Sequence, residues 1–225
     1  MTSPRDRRAA RELREYIERL YGPQDELVIV PVYTATSERV ALHAKDVAVT
    51  RPDPTDGRTH GAGSCDHYAP PFVATVANLA ARLVAIRSAR YAPGGGLVPA
   101  CPHDGAEDLR HAYGQLFPEG TVEVDAPWQD LARAVAEELS EAGLLDGVES
   151  AQIKSKFASL RWYFRSTPEH SKGRVGYIIT AATDLSTVVC ERCGAPGEHR
   201  KRAWHVIACD ACEDDRQRGR RGGGG

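Results

Sequence analysis

The chain has 225 residues, 29 Lys and Arg against 31 Asp and Glu, a formal net charge of −2 and 41% hydrophobic residues. That composition excludes an intrinsically disordered chain and a protein that is basic over its whole length, while leaving room for a local basic patch. The longest apolar stretch, residues 72–86, is broken by Asn78 and Arg82 and is no membrane span. The N-terminus is charged and shows no apolar core of an export signal, so a cytoplasmic protein is expected. Six cysteines in that setting point to metal ligation and free thiols rather than to disulfides.

Residues 4–21 are predicted to form a helix, with Leu13, Ile17 and Leu20 on one face and Gly22-Pro23 ending it. Residues 27–33 are valine-rich and read as a strand, placed at a sheet edge or bulge by Pro31; residues 39–50 are expected to pair with it. Residues 51–71 form a loop carrying His60, Cys65 and His67. Residues 72–91 read as a helix apolar over most of its girth, the expected core helix. A second loop holds Cys101 and His103, and a short helix near 107–117 follows.

Residues 118–126 read as a linker or short strand. Pro127 suits the first position of the next helix, Asp125 is placed to cap it, and Gly143 closes it. Residues 151–165 carry the strongest strand signal, with Lys156, Ala158, Leu160, Trp162 and Phe164 on one side. The weak centre of that pattern allows either a bend or two strands with a turn at Ala158-Ser159. Residues 175–189 place apolar side chains on one helical face, with a strand as the alternative given their β-branched content.

Near the C-terminus, Cys190-Glu-Arg-Cys193 and Cys209-Asp-Ala-Cys212 stand fifteen residues apart. Four thiolates at this spacing reach the corners of a tetrahedron around one zinc ion. Gly194 suits the knuckle after the first pair, residues 203–208 suit a hairpin strand, and residues 210–218 suit a short helix. A closed four-thiolate site leaves no open coordination position, so the expected Zn2+ is structural. The fold class expected is α+β. A small N-terminal α+β unit (1–120) precedes a helix–strand–helix unit (121–215) ending in a treble-clef or zinc-ribbon four-cysteine site, and an Arg/Gly tail (216–225) is expected to be disordered.

From Trp128 to Cys212 the chain resembles a family of small zinc-binding proteins of bacteria and their phages. In that family a Trp-bearing helix precedes a Lys-x-Lys-Phe-Gly-x-Leu-Arg-Phe-Tyr strand, then Cys-Glu-x-Cys-Gly-x-Pro-Gly, a Gly-Trp segment and Cys-Asp-x-Cys or Cys-Asp-x-His. The residues here are Lys154-Ser-Lys-Phe-Ala-Ser-Leu-Arg-Trp-Tyr163, Cys190-Glu-Arg-Cys-Gly-Ala-Pro-Gly197, Ala203-Trp204 and Cys209-Asp-Ala-Cys212. Ala158 and Ala203 replace the family's usual glycines. The resemblance implies a zinc-stabilised domain and brings no activity with it.

Two further constellations remain. His60, Cys65, His67, Cys101 and His103 form a candidate second metal site, the basis of an alternative reading as a metal-dependent hydrolase or nuclease. The plainer reading is that these are loop residues, and no nucleophile elbow, phosphate loop or metalloprotease motif is present. His199 and His205, between the cysteine pairs, are read as exposed hairpin residues. Lys154, Lys156, Arg161, Arg200, Lys201 and Arg202, with Trp162, Tyr163 and Trp204 interleaved, are candidate nucleic-acid contacts. The competing reading is a solvated charged face with the aromatics in the core, Trp204 packing around the metal. The sequence thus favours a non-enzymatic module that binds protein or nucleic acid and has no membrane partner.

Overall fold

The computed structural model describes residues 3–32, 41–49, 67–90, 105–167, 172–201 and 204–222. Helix α1, Pro4–Tyr21, begins in a capping box: the Ser3 hydroxyl accepts from the Asp6 N–H, the Asp6 carboxylate accepts from the Ser3 N–H, and Pro4 takes the first turn. Its inner face buries Ala9, Leu13, Tyr16 and Ile17, with Glu12 among them. Strands β1 (Val28–Val32) and β2 (Ala41–Lys45) pair antiparallel, as the sequence suggests, with Pro31 opposite Leu42.

Helix α2, Pro70–Ser88, is the core helix. Prolines fill its first turn, and Phe72, Val76, Leu79, Ala80, Leu83 and Val84 are buried around most of its circumference. Such a helix needs neighbours on every side. It packs against α1, β2, α4 (Ala126–Glu141) and α5 (Lys172–Ser186). A short helix α3, Gly105–Tyr113, leans on α4. Asp125 stands at the N-cap of α4, though its side chain makes no capping bond, and Gly143 follows the helix with φ 65°.

Strand β3 (Val122–Glu123) runs parallel to β4 (Val148–Ser155), which pairs antiparallel with β5 (Leu160–Ser166). The segment 151–165 is therefore two strands joined by a turn, centred on Phe157-Ala158. Both residues hold left-handed backbone, φ 56° and 57°. Leu160 and Trp162 point inward, as expected. Lys156 does not share their face: it lies in the turn and is exposed. The inner face packs on α5, where the Leu160 N–H donates to Ser186 Oγ at 2.9 Å. Residues 172–186 are a helix, not the alternative strand.

The hydrophobic core is continuous across the boundary expected at 118–126, because α2 from the first unit lies directly against α4 and α5 from the second. At the C-terminus, β6 (Glu198–Arg200) and β7 (Val206–Ala208) form a hairpin, and α6 (Asp210–Gly222) follows. The order of cysteine knuckle, hairpin and helix is that of a treble clef. Helix α6 also corrects one expectation: residues 216–222, assigned to a disordered tail, continue its helix. Salt bridges from Arg216 to Glu213 and from Arg218 to Asp215, each three residues apart, support that extension. No helix among the described residues is long and apolar enough to cross a membrane.

Candidate metal centre

The four cysteines arrive from two directions. After α5, the chain forms a bridge between Val189 and Pro196 that closes the loop 190–195 into a knuckle. Within it the Gly194 N–H donates to the Cys190 carbonyl at 2.8 Å, and the Cys190 N–H to the Ala195 carbonyl at 2.9 Å. The second pair sits where β7 meets α6, with Cys212 in the first helical turn and its N–H 3.5 Å from Cys209 Sγ. Glu191 ties the two halves together: its carboxylate accepts the Ile207 N–H at 2.9 Å, and its own N–H donates to the Ile207 carbonyl at 3.0 Å.

All four Sγ atoms lie within 4.8 Å of one another, and Cys193 Sγ is 3.6 Å from Cys209 Sγ. Sulfurs bound about 2.3 Å from one tetrahedral ion stand about 3.8 Å apart, so the cluster has the dimensions of a four-thiolate site. Cys190 and Cys209 are buried, Cys193 and Cys212 partly so. Among the described residues this is the one group of three or more cysteine, histidine or acidic side chains close enough to hold a metal ion.

The thiols divide their protons unequally. Cys190 is held far below the ordinary thiol range, at about 4, because the Cys193 thiol donates to its sulfur. Cys193, as that donor and as a buried group, is pushed well above the range, and burial pushes Cys212 up to about 12. Four crowded sulfurs can all be thiolates only around a cation, a role that a metal ion would fill.

The N-terminal half grips this centre from behind. The Tyr16 hydroxyl donates to the Gly194 carbonyl, and Arg87 Nη1 donates to the Cys193 carbonyl. Arg87 is 1% exposed and pairs through Nε with Glu12 at 2.5 Å. Gly194 holds φ 74°, and a Cβ there would overlap the Arg87 guanidinium and lie 3.3 Å from Pro127 Cβ. Trp128 Nε1 donates to the Val189 carbonyl at 3.2 Å, so α4 also braces the knuckle. Sequence reasoning named none of Glu12, Tyr16 or Arg87 as part of the site. The available signal was charge on otherwise apolar helix faces: Glu12 beside Leu13, and Arg87 directly after Ile86.

Of the candidate second site, His60, Cys65, Cys101 and His103 lie outside the described residues. His67 is buried against α5, its Nδ1 2.5 Å from Asp184 Oδ2 and its ring edge-on to Phe72. His199 and His205 are exposed, as read from the sequence. Their rings stack at 4.8 Å with Nδ1 of His205 2.7 Å from Nε2 of His199. Partial burial and the neighbouring His205 keep the His199 imidazole below its usual range.

The candidate nucleic-acid contacts separate into three groups. Lys154 and Arg161 face each other across β4 and β5 on the solvent side of the sheet, and Lys156 stands in the turn beside them. Arg200 is occupied on the metal hairpin by Glu198 and Asp210; Lys201 is exposed, and Arg202 lies outside the described residues. Among the aromatics, Trp162 is in the core, donating to Ser150 Oγ at 3.0 Å, whereas Tyr163 and Trp204 are exposed. Trp204, at 83% exposure, does not pack around the metal centre. Phe157, 73% exposed in the turn, was not singled out from the sequence as a surface aromatic.

Comparison of the chain with protein-family models, with curated proteins and with solved structures returns no match in any of the three.

Proposed function

We propose that the chain is a non-enzymatic binding module folded around one structural zinc ion, and that its ligand is nucleic acid. Cys190, Cys193, Cys209 and Cys212 would hold the metal; an all-thiolate tetrahedral set suits zinc, and with four protein ligands no position remains for substrate. When bound, the ion supplies folding energy to the hairpin and α6 and no chemistry. Cytoplasmic residence, where thiols stay reduced, and kinship with the bacterial and phage zinc-binding family belong to the same reading.

The observation that carries the nucleic-acid reading is the solvent face of β4 and β5. It gathers Lys154, Lys156 and Arg161 in a chain that is otherwise slightly acidic. Among the described residues none of the three is in a salt bridge, whereas the nearby Glu149 is paired with Arg165. The test is retention of metal-loaded protein on single- and double-stranded DNA and RNA at low salt, followed by a salt titration. Three cations bound to phosphates give a slope in log affinity against log salt of about −2 for a single strand. Replacing all three by Gln should flatten that slope. Absence of binding to every nucleic acid at low salt would overturn the reading.

A further inference from the structure

Resting on that reading, we infer that the ligand is single-stranded and that Phe157 and Tyr163 are the platforms on which its bases stack. Two observations beyond charge support this. The first is that each exposed ring carries its own ammonium group: Lys154 Nζ lies 5.6 Å from the centre of the Tyr163 ring, and Lys156 Nζ lies 5.3 Å from that of Phe157. A cation over one face of a ring brings together what the two chemical parts of a nucleotide need, a flat surface for the base and a charge for the phosphate. A duplex hides its base faces inside the stack, so only an unpaired strand can use the rings.

The second is the backbone beneath Phe157. A two-residue hairpin turn with both central residues at positive φ ordinarily selects Asn-Gly, whose side chains tolerate that conformation. Here the turn is Phe157-Ala158 at φ 56° and 57°, so the sequence accepts strain and places a phenyl ring in water, 73% exposed. Strained backbone of this kind clusters at ligand-binding and active sites.

Among the described residues, none of the acids around this face is in a salt bridge with Lys154, Lys156 or Arg161. Glu149 is paired with Arg165, Glu123 accepts from Gln152 Nε2, and Glu191 accepts from the Ile207 N–H and from Ser155 Oγ. Tyr163 and the turn lie roughly 15 Å apart along the hairpin at the usual strand rise, so a strand of a few nucleotides would bridge both rings.

The test uses the full-length, metal-loaded protein and two fluorescein-labelled probes, a 12-nucleotide oligo-dT and a DNA duplex hairpin, in anisotropy titrations. Wild type should bind oligo-dT at least ten-fold more tightly than the duplex. Phe157→Asn, which suits the turn, and Tyr163→Thr, which suits the strand, should each weaken oligo-dT binding roughly ten-fold and leave its salt slope unchanged. Metal stoichiometry and melting temperature check that each variant is folded. Equal affinity for the two probes, or aromatic variants that bind oligo-dT as wild type does, would overturn the stacking inference while the nucleic-acid reading stands. Absence of binding to both probes at low salt would remove both.

Discussion

The grip of α1 and α2 on the metal knuckle makes a prediction that links the two ends of the chain. In Arg87→Met the methionine keeps much of the side-chain volume but loses the bond to the Cys193 carbonyl and leaves Glu12 without its 2.5 Å ion-pair partner, at a position 6% exposed. Removing one member of a buried ion pair costs about 3–5 kcal/mol, a large share of a typical stability of 5–15 kcal/mol. The bond from the guanidinium to the Cys193 carbonyl is charge-assisted and contributes about 1.5–3 kcal/mol. Part of that loss should appear as weaker metal binding, because the carbonyl belongs to Cys193, itself one of the four clustered cysteines. At 1.4 kcal/mol per decade, a ten- to hundred-fold fall in metal affinity is expected. Chelator competition reads the affinity, and urea unfolding with and without metal reads the stability. Glu12→Leu with Arg87→Met also removes the carboxylate that pairs with Arg87 and should recover most of the stability but not the metal affinity. If Arg87→Met does not fold, Glu12→Gln, which keeps an acceptor for Arg87, gives the milder form of the same measurement. Metal affinity within two-fold of wild type and stability within about 1 kcal/mol would refute the reasoning.

The remaining expectations concern the same centre and the sheet. Cys193→Ser should lower bound zinc from one equivalent to none, and hydrogen exchange should show β6, β7 and α6 losing protection while α2 and α4 keep theirs; retained metal in this variant would contradict a four-thiolate site. Metal affinity should fall as pH falls: Cys193 and Cys212 hold their protons above the ordinary thiol range until a metal displaces them, so binding releases at least two protons. The metal's stabilisation is therefore present at high pH and lost on acidification, at about two decades in affinity per pH unit near neutrality, and a flat profile between pH 6 and 8 would exclude this. Gly194→Ala should cost about 1–3 kcal/mol from its positive φ alone and more from displacing Arg87, read as a drop in melting temperature. Phe157→Asn should raise stability by up to about 1 kcal/mol by relieving the turn, the opposite sign to its effect on oligo-dT binding.

The sequence by itself determined the parts whose physics is local. Helix periodicity and end signals located α1, α2 and α4, because a stripe of apolar side chains and a proline or glycine at the end act within a few residues. The four-cysteine cluster was legible for the same reason: each Cys-x-x-Cys fixes two sulfurs within one turn, and the fifteen-residue interval matches one hairpin. The weak centre of 151–165 left a bend and a turn equally open, and only the pairing of Ser155 with Leu160 decided for two strands. Alternation then misplaced Lys156, since a turn reverses the chain and cancels the two-residue period. Two aromatics adjacent in sequence, Trp162 and Tyr163, share one composition signal, yet the pleat sends one into the core and the other to solvent. Least legible was the grip on the metal knuckle. Glu12 and Tyr16 share a turn of α1, but Arg87 and Gly194 lie up to 182 residues from them, and nothing local joins these three places. Their contact exists because α2 must bury its whole circumference; that demand brings α1 to one side, α4 and α5 to the others, and places the knuckle that follows α5 within reach of Arg87.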